Sequence, residues 1–241
     1  MRIRVVTPSI SKEFEALGLE QYSPAARPGT EISVTILDRG PASIESRYDE
    51  TIATPDIVRK VAEAEKDGVD AVIIDCMADP GLEAAREMVA IPVIGPAETA
   101  MHIASMLGHK FSVITVLDQL APLFDHHAVK AGLVHSLASV RAINIPVLEL
   151  VDTDRVVRAL VEQSAKAVRE DGAHVIVFGC TGLVGLASDV KRGLEEQGIA
   201  DVPLIDPAVL AVKMAEVLVD TGLTHSKRTY PRPPEKEIVG Y

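Results

Sequence analysis

The chain has 241 residues, of which 47% are hydrophobic, only 3% are aromatic and none is tryptophan, so its interior must be built from Val, Ile, Leu and Ala. That composition suits buried parallel strands better than a sandwich, and it excludes a disordered chain. With 24 Lys and Arg against 35 Asp and Glu, the formal net charge is −11 and no basic patch is available to neutralise a phosphate backbone, which argues against a nucleic-acid partner.

The opening segment MRIRVVTPSI turns polar too soon for a signal peptide, and no run reaches the roughly 18 apolar residues of a membrane span. The expected location is therefore cytoplasmic, with no membrane partner. Short β-branched runs closed by turn residues predict strands at 3–6, 32–37, 69–74, 92–94, 111–116, 143–150, 173–178 and 202–205. Between them lie helical patterns. Thr54-Pro55, Asp79-Pro80 and Asp206-Pro207 each read as a capping side chain ahead of a proline at the first helical position. Val156, Val157, Leu160, Val161, Ala165 and Val168 form an apolar stripe of helical period, with Gly172 as a stop near its end. Met101, Met106 and Met214 lie at helical spacing with alanines and read as core, whereas the adjacent His126 and His127 read as a solvated face. The tail THSKRTYPRPPEKEIVGY is charged and proline-rich and reads as an extended arm.

The chain also repeats itself. DGVDAVIIDC, beginning at Asp67, lies on DGAHVIVFGC, beginning at Asp171, so that Cys76 falls on Cys180. A helix follows in each copy, then IPVIGP lies on VPLIDP and AETAMHIA on AVLAVKMA, while upstream IRVVTP lies on FSVITV. The reading that follows is an α/β fold of two similar lobes, each with a mainly parallel four-stranded sheet flanked by helices. A pseudo-twofold axis relates the lobes and a cleft lies between them. Ligands of open α/β sheets bind beyond the carboxyl ends of strands, and both cysteines fall there, so the two thiols are expected to face one another across the cleft.

Two cysteines without CxxC or Cys/His ligand spacing argue against zinc and against a disulfide framework. A P-loop, G-x-G-x-x-G and G-x-S-x-G are all missing from the sequence. A facing thiol pair suits inversion of a carbon acid next to a carbonyl, where one group removes a proton from one face and the other delivers a proton to the opposite face. Neither metal nor organic cofactor is needed for that chemistry. Backbone N–H groups at Met77, Ala78, Thr181 and Gly182 are the candidate donors to the enolate, and Ser9 and Thr115, at strand ends, are candidate substrate ligands. Ser11 and Asp79 read as helix caps. Asp75 is placed to orient or tune Cys76, and Gly179 stands in its position in the second copy, which would make any tuning asymmetric.

The segment IIDCMADPGLEAAREMVAIPVIGPAETAMHIASMLGHKFSVIT, the earlier GPASIESRYDE, and VFGCTGL followed by PLIDP resemble the hydantoin and allantoin racemase branch of the aspartate/glutamate racemase superfamily. The resemblance implies two α/β lobes, cofactor-independent racemisation of a small-molecule substrate, a catalytic cysteine pair at Cys76 and Cys180, and a homo-oligomer. It further implies that the C-terminal segment crosses back to the first lobe, giving domains of 1–96 with 207–241 and of 97–206. One departure stands out. Hydantoin racemases usually carry Asn-Pro-Asn after the first strand, where this chain has Thr7-Pro8-Ser9, which leaves the substrate open among hydantoins, allantoin and related small amides or amino acids. Two other readings remain at this point: an isomerase or lyase using one cysteine on a small dicarboxylate, and a non-catalytic small-ligand binding protein.

Overall fold

The runs AVII, FSVIT and VIVF, and the Val5–Thr7 end of RIRVVT, bury both faces, so they form central strands of parallel sheets. The computed structural model describes residues 1–237 and 239. Its first half runs β1 (Arg2–Thr7), α1 (Glu13–Tyr22), β2 (Glu31–Ile36), α2 (Arg47–Lys66), β3 (Ala71–Ile74), α3 (Leu82–Met88) and β4 (Val93–Ile94). Its second half runs α4 (Pro96–Leu107), β5 (Phe111–Thr115), α5 (Ala121–Lys130), β6 (Leu137–Ala142), α6 (Thr153–Arg169), β7 (Val175–Phe178), α7 (Ala187–Glu196), β8 (Leu204–Ile205) and α8 (Pro207–Thr221). Two four-stranded sheets result, in the orders β2-β1-β3-β4 and β6-β5-β7-β8, with every pairing parallel.

The internal repeat survives at the level of register. Val6 pairs with Ile74 in the first sheet and Ile114 with Phe178 in the second. Val72 pairs with Val93, and Ile176 with Leu204. The alignment of IRVVTP on FSVITV and of the two Asp-Gly segments is therefore the alignment of the strands. Gly68 and Gly172 adopt φ of +76° and +73°, the left-handed conformation for which the Asp-Gly turns need glycine.

Two compact units divide the chain: Met1–Gly95 with Ala211–Tyr241, and Pro96–Leu210. In the first unit Val6, Leu37, Ile57, Val61, Val72, Ile74, Leu82 and Val93 pack into one apolar core. In the second, Ile114, Val156, Leu160, Ile176, Phe178, Leu183 and Val190 do the same. The stripe on α6 is buried as its period requires, at Val156, Leu160, Val161 and Ala165.

Several local expectations are corrected. The sixth strand is Leu137–Ala142 and not 143–150, which forms a loop with a 3-10 turn at Val147–Glu149. Ile143 and the buried Ile145 still donate their N–H groups to the Thr115 and Val116 carbonyls, but Asn144 has a φ of +55° and Pro146 lacks a donor, so the apolar run INIPVLEL does not continue as a strand. Pro55 lies inside α2, whose cap is the Ser46 hydroxyl accepting from Asp49 N–H, while Thr54 donates to the Glu50 carbonyl. Helix α3 starts at Leu82 behind Gly81 with no side-chain cap, so Asp79 is not its cap. Asp206 behaves as expected, its carboxylate accepting from Ala208 N–H at 3.0 Å. Met101 is buried, but Met106 is 77% exposed on the outward side of α4.

The tail is not simply an extended arm. From residue 224 to 232 it closes the outer edge of the first sheet. Val93 turns its free backbone groups outward: its carbonyl accepts from Arg86 Nε and Nη2 at 3.2 and 3.1 Å, and its N–H donates to His225 Nε2 at 3.0 Å. Tyr230 covers the Arg86 guanidinium, 5.6 Å from ring centroid to Cζ, and Lys227 donates to the Arg86 and Val89 carbonyls at the end of α3.

In the second unit Arg141 on β6 grips both oxygens of Asp171, at 2.6 and 2.8 Å, and holds its carboxyl below the usual carboxylate range. A carboxyl lowered in the fold contributes stability above its unfolded pKa and loses it as pH falls through the folded value. Arg141→Met is expected to cost about 1 kcal/mol in urea unfolding at pH 7. The deficit should shrink as the pH is lowered below the ordinary carboxylate range, because Asp171 then protonates in both proteins.

Candidate active site

Parallel pairing brings the last residues of β1 and β3 to the same level. The register continues one residue beyond the paired strands, with Asp75 N–H donating to the Val6 carbonyl at 2.9 Å. Cys76 then turns tightly, its N–H donating to the Ile74 carbonyl at 2.8 Å. The second unit repeats the step: Gly179 N–H donates to the Ile114 carbonyl at 2.8 Å, and Cys180 follows. Each cysteine is half-buried, and neither is in a disulfide.

Beyond the turns the match extends to the sulfurs. Ala78 N–H points at the Sγ of Cys76 at 3.4 Å, and Gly182 N–H at the Sγ of Cys180 at 3.3 Å. Each turn thus presents a backbone N–H to the sulfur of its own cysteine. Of the four backbone positions expected to serve an enolate, Ala78 and Gly182 are thus directed to the cysteines in this structure. Met77 and Thr181 are the intervening residues, with Met77 2% and Thr181 6% exposed.

The two units differ in what stands behind the cysteine. In the first, Asp75 accepts from the Tyr22 hydroxyl at 2.5 Å on one oxygen and from the Thr7 hydroxyl at 3.0 Å on the other. Tyr22 closes α1 and is fully buried. In the second unit the strand-end equivalent of Thr7 is Thr115, and the equivalent of Asp75 is Gly179. A Cβ on Gly179 would lie 2.8 Å from the Cα of Thr115 and 2.8 Å from a methyl of Val113, so the strands there meet too closely for any side chain. Thr115 is wholly buried, and its hydroxyl finds no hydrogen-bond partner among the described residues. A buried unsatisfied hydroxyl costs about 1–3 kcal/mol; among the described residues Thr115 shares this state with Ser164 on α6.

Ser9 is differently employed. Its hydroxyl donates to the Ala42 carbonyl at 2.7 Å and accepts from Ser11 N–H at 2.9 Å, pinning the loop after β1 to the loop after β2. Asp79 sits in the turn after Cys76 with a φ of +46°, its carboxylate packed where a side chain at Gly95 would be; a Cβ there would meet it at 2.6 Å. His126 is exposed and His127 lies against Phe124 on α5. Among the described residues no group of three or more His, Cys, Asp or Glu is arranged to hold a metal ion, and no helix is long and apolar enough to cross a membrane.

The role of Tyr22 could not be assigned from sequence. The only signal was that a tyrosine in so aromatic-poor a chain needs a partner for its hydroxyl if buried, and that partner lies 53 positions away.

Comparison with known proteins places these features in context. Residues 3–215 match the family model described as Asp/Glu/Hydantoin racemase. A hydantoin racemase from Pseudomonas sp. (strain NS671) is 37% identical over 243 residues, spanning 100% of this chain and 95% of that protein. An allantoin racemase from Klebsiella pneumoniae superposes with a TM-score of 0.91 at 37% identity, covering 100% of this chain and 96% of that one. An allantoin racemase from Pseudomonas fluorescens superposes with a TM-score of 0.92 at 36% identity over the full length of both.

Two stability effects are expected from this geometry. Gly179→Ala should lower unfolding free energy by about 1–3 kcal/mol, because backbone and not a flexible side chain opposes the new methyl. Thr115→Val, which removes the unsatisfied hydroxyl at similar volume, should leave stability unchanged or raise it by up to about 1 kcal/mol. Urea denaturation of both variants checks the pair.

Proposed function

From the premise that the chain belongs to the Asp/Glu/Hydantoin racemase family, and is a racemase-type isomerase, we propose that it inverts the carbon acid of a hydantoin, of allantoin or of a related compact cyclic amide by two-base chemistry at Cys76 and Cys180. The observation that carries this reading is the matched pair: two cysteines at equivalent strand ends of a repeat, each with the N–H two residues on directed at its sulfur.

In this reading one cysteine, as thiolate, takes the proton from the carbon next to the carbonyl. The electrons of the C–H bond pass into the carbonyl as an enolate, and the thiol of the other cysteine delivers its proton to the opposite face. The enantiomer is processed with the roles exchanged, so no redox change and no cofactor enter the balance. Thr115 donates its hydroxyl to a carbonyl or enolate oxygen of the substrate, a role supported by its burial with no hydrogen-bond partner among the described residues. Backbone N–H groups at Met77, Ala78, Thr181 and Gly182 supply further donors, with Ala78 and Gly182 shared with the sulfurs. Ser9 contributes by shaping the loop after β1.

Proton NMR in D2O with optical rotation, on single enantiomers of allantoin and several 5-substituted hydantoins, is the direct test. Wild type is expected to exchange the α-proton and lose rotation together on at least one of them. Cys76→Ser and Cys180→Ser should each lower racemisation by about 10²–10⁴-fold. Thr115→Val should lower turnover by about tenfold or more while the protein stays as stable as wild type. Folded wild-type protein without exchange on any substrate, or full turnover retained with either cysteine replaced, would overturn the two-base reading.

A further inference from the structure

The loop after β2 leaves its sheet two strands away from Cys76, yet it is built into the same rim. Neighbouring strands lie about 4.8 Å apart, and the order β2-β1-β3 puts the end of β1 between the two. Residues 38–42 bridge that gap. The Pro41 carbonyl accepts from Ile10 N–H at 3.1 Å, the Ala42 carbonyl accepts from the Ser9 hydroxyl at 2.7 Å, and Leu37 N–H donates to the Ser9 carbonyl at 2.9 Å. Thr7, at the end of β1, donates its hydroxyl to Asp75, the neighbour of Cys76.

The start of the same loop is held by a buried acid for which the two-base reading has no use. Asp56 on α2 is 8% exposed. One oxygen of its carboxylate accepts from Asp38 N–H at 2.7 Å and from Arg39 N–H at 3.2 Å, and the other accepts from Arg59 Nε at 2.8 Å. Hydrogen bonds to an ionised acceptor are about twice as strong as neutral ones, so the grip is firm. This turn of α2 also seats the turn that follows Cys76. A Cβ on Gly40 would lie 3.7 Å from the Cα of Ala53, and one on Gly81, just ahead of α3, would lie 3.0 Å from a methyl of Thr54. One helical turn therefore carries both the loop and the far end of the cysteine turn.

We propose that Asp56 is a positioning residue for substrate binding: it fixes residues 38–42 as a wall on the Cys76 side of the site, and the order of that wall sets how tightly substrate is held. A loop that is already ordered adds no ordering cost when substrate binds, whereas a loose one adds it at every encounter. Asp56 itself is turned to backbone N–H groups and to Arg59, away from any reacting atom. Its removal therefore weakens ground state and transition state alike, which raises KM and spares kcat.

The inference rests on the racemase reading for its substrate, and is independent of how the two cysteines divide the proton transfers. Its test pairs hydrogen–deuterium exchange of the folded chain with racemisation kinetics on whichever enantiomer of allantoin or of a 5-substituted hydantoin wild type turns over fastest. In Asp56→Ala, the amides of residues 38–42 are expected to exchange about tenfold faster, the scale of one lost hydrogen bond to a charged group, while those of β3 stay as in wild type. KM should rise about tenfold, with kcat within about threefold. Asp56→Asn keeps an acceptor oxygen for the two N–H groups and should return KM to within about threefold of wild type. Asp56→Ser takes the place of Asp56→Ala if that variant does not fold, with the same direction expected in both measurements.

Asp38→Asn is the control for a merely structural effect. It weakens the ion pairs that Arg59 and Lys60 make with the same loop, but leaves the Asp56 carboxylate on both N–H groups, and should leave KM within about twofold. Unchanged exchange at residues 38–42, an unchanged KM with the loop loosened, a loss confined to kcat, or an equal rise in KM in Asp38→Asn would each overturn the proposal. An active wild type with any of those outcomes removes this inference alone, whereas a folded wild type inactive on all of these substrates removes the racemase reading and this one with it.

Discussion

Parallel pairing of β1 with β3 and of β5 with β7 is the constraint on which the rest of this molecule depends. In such a pair the strands end at the same level, and the first residues beyond the ladder are held by the last of its hydrogen bonds. Asp75 and Gly179 each use that last bond, to Val6 and Ile114 respectively. A cysteine placed next in sequence must therefore emerge at the carboxyl end of its sheet. The tight turn that follows leaves the N–H two residues later facing back at the sulfur. Strand register thus sets where each thiol emerges and which N–H faces it.

Within that shared frame the two copies have diverged by exchanging where polar groups stand. Behind Cys76 lies a carboxylate with two hydroxyl donors; behind Cys180 lies a glycine and a hydroxyl with no hydrogen-bond partner among the described residues. A similar exchange occurs further on. In the second copy Asp206 caps its own helix, whereas the first copy has Gly95 there and fills the space with the carboxylate of Asp79. Each of these is a local packing choice, since a glycine in one copy is required by the side chain or backbone that presses on it. These substitutions are where the two otherwise matched turns differ.

The periphery shows the same economy. Strand β4 is only two residues long and would expose an unpaired edge, a hazard for any sheet. Arg86, His225 and the turns of the tail satisfy its backbone groups and cover it, so that a basic, proline-rich segment without strand or helix acquires a structural role. Its composition carried no sign of this, because the partners are single backbone atoms far away in sequence.

Much of the architecture was legible in the sequence alone. Continuous β-branched runs, Asp-Gly turns and an apolar stripe on α6 are local patterns, and their repetition was enough to align the two copies and to single out Cys76 and Cys180. Where local pattern and backbone chemistry disagreed, the sequence misled: INIPVLEL is apolar like a strand but is broken by Asn144 and Pro146, and Thr54-Pro55 resembles a helix start but lies within α2, where the cap at Ser46 begins the helix earlier. Tyr22 is unremarkable as a letter, and Asp75 and Thr115 stand out in the sequence only by their places beside a cysteine and at a strand end. Only the tertiary structure decided that Asp75, Thr7 and Tyr22 form one network and that the Thr115 hydroxyl is buried with no hydrogen-bond partner among the described residues, because hydrogen bonds and close approach depend on separation in space, which periodicity along a chain does not specify.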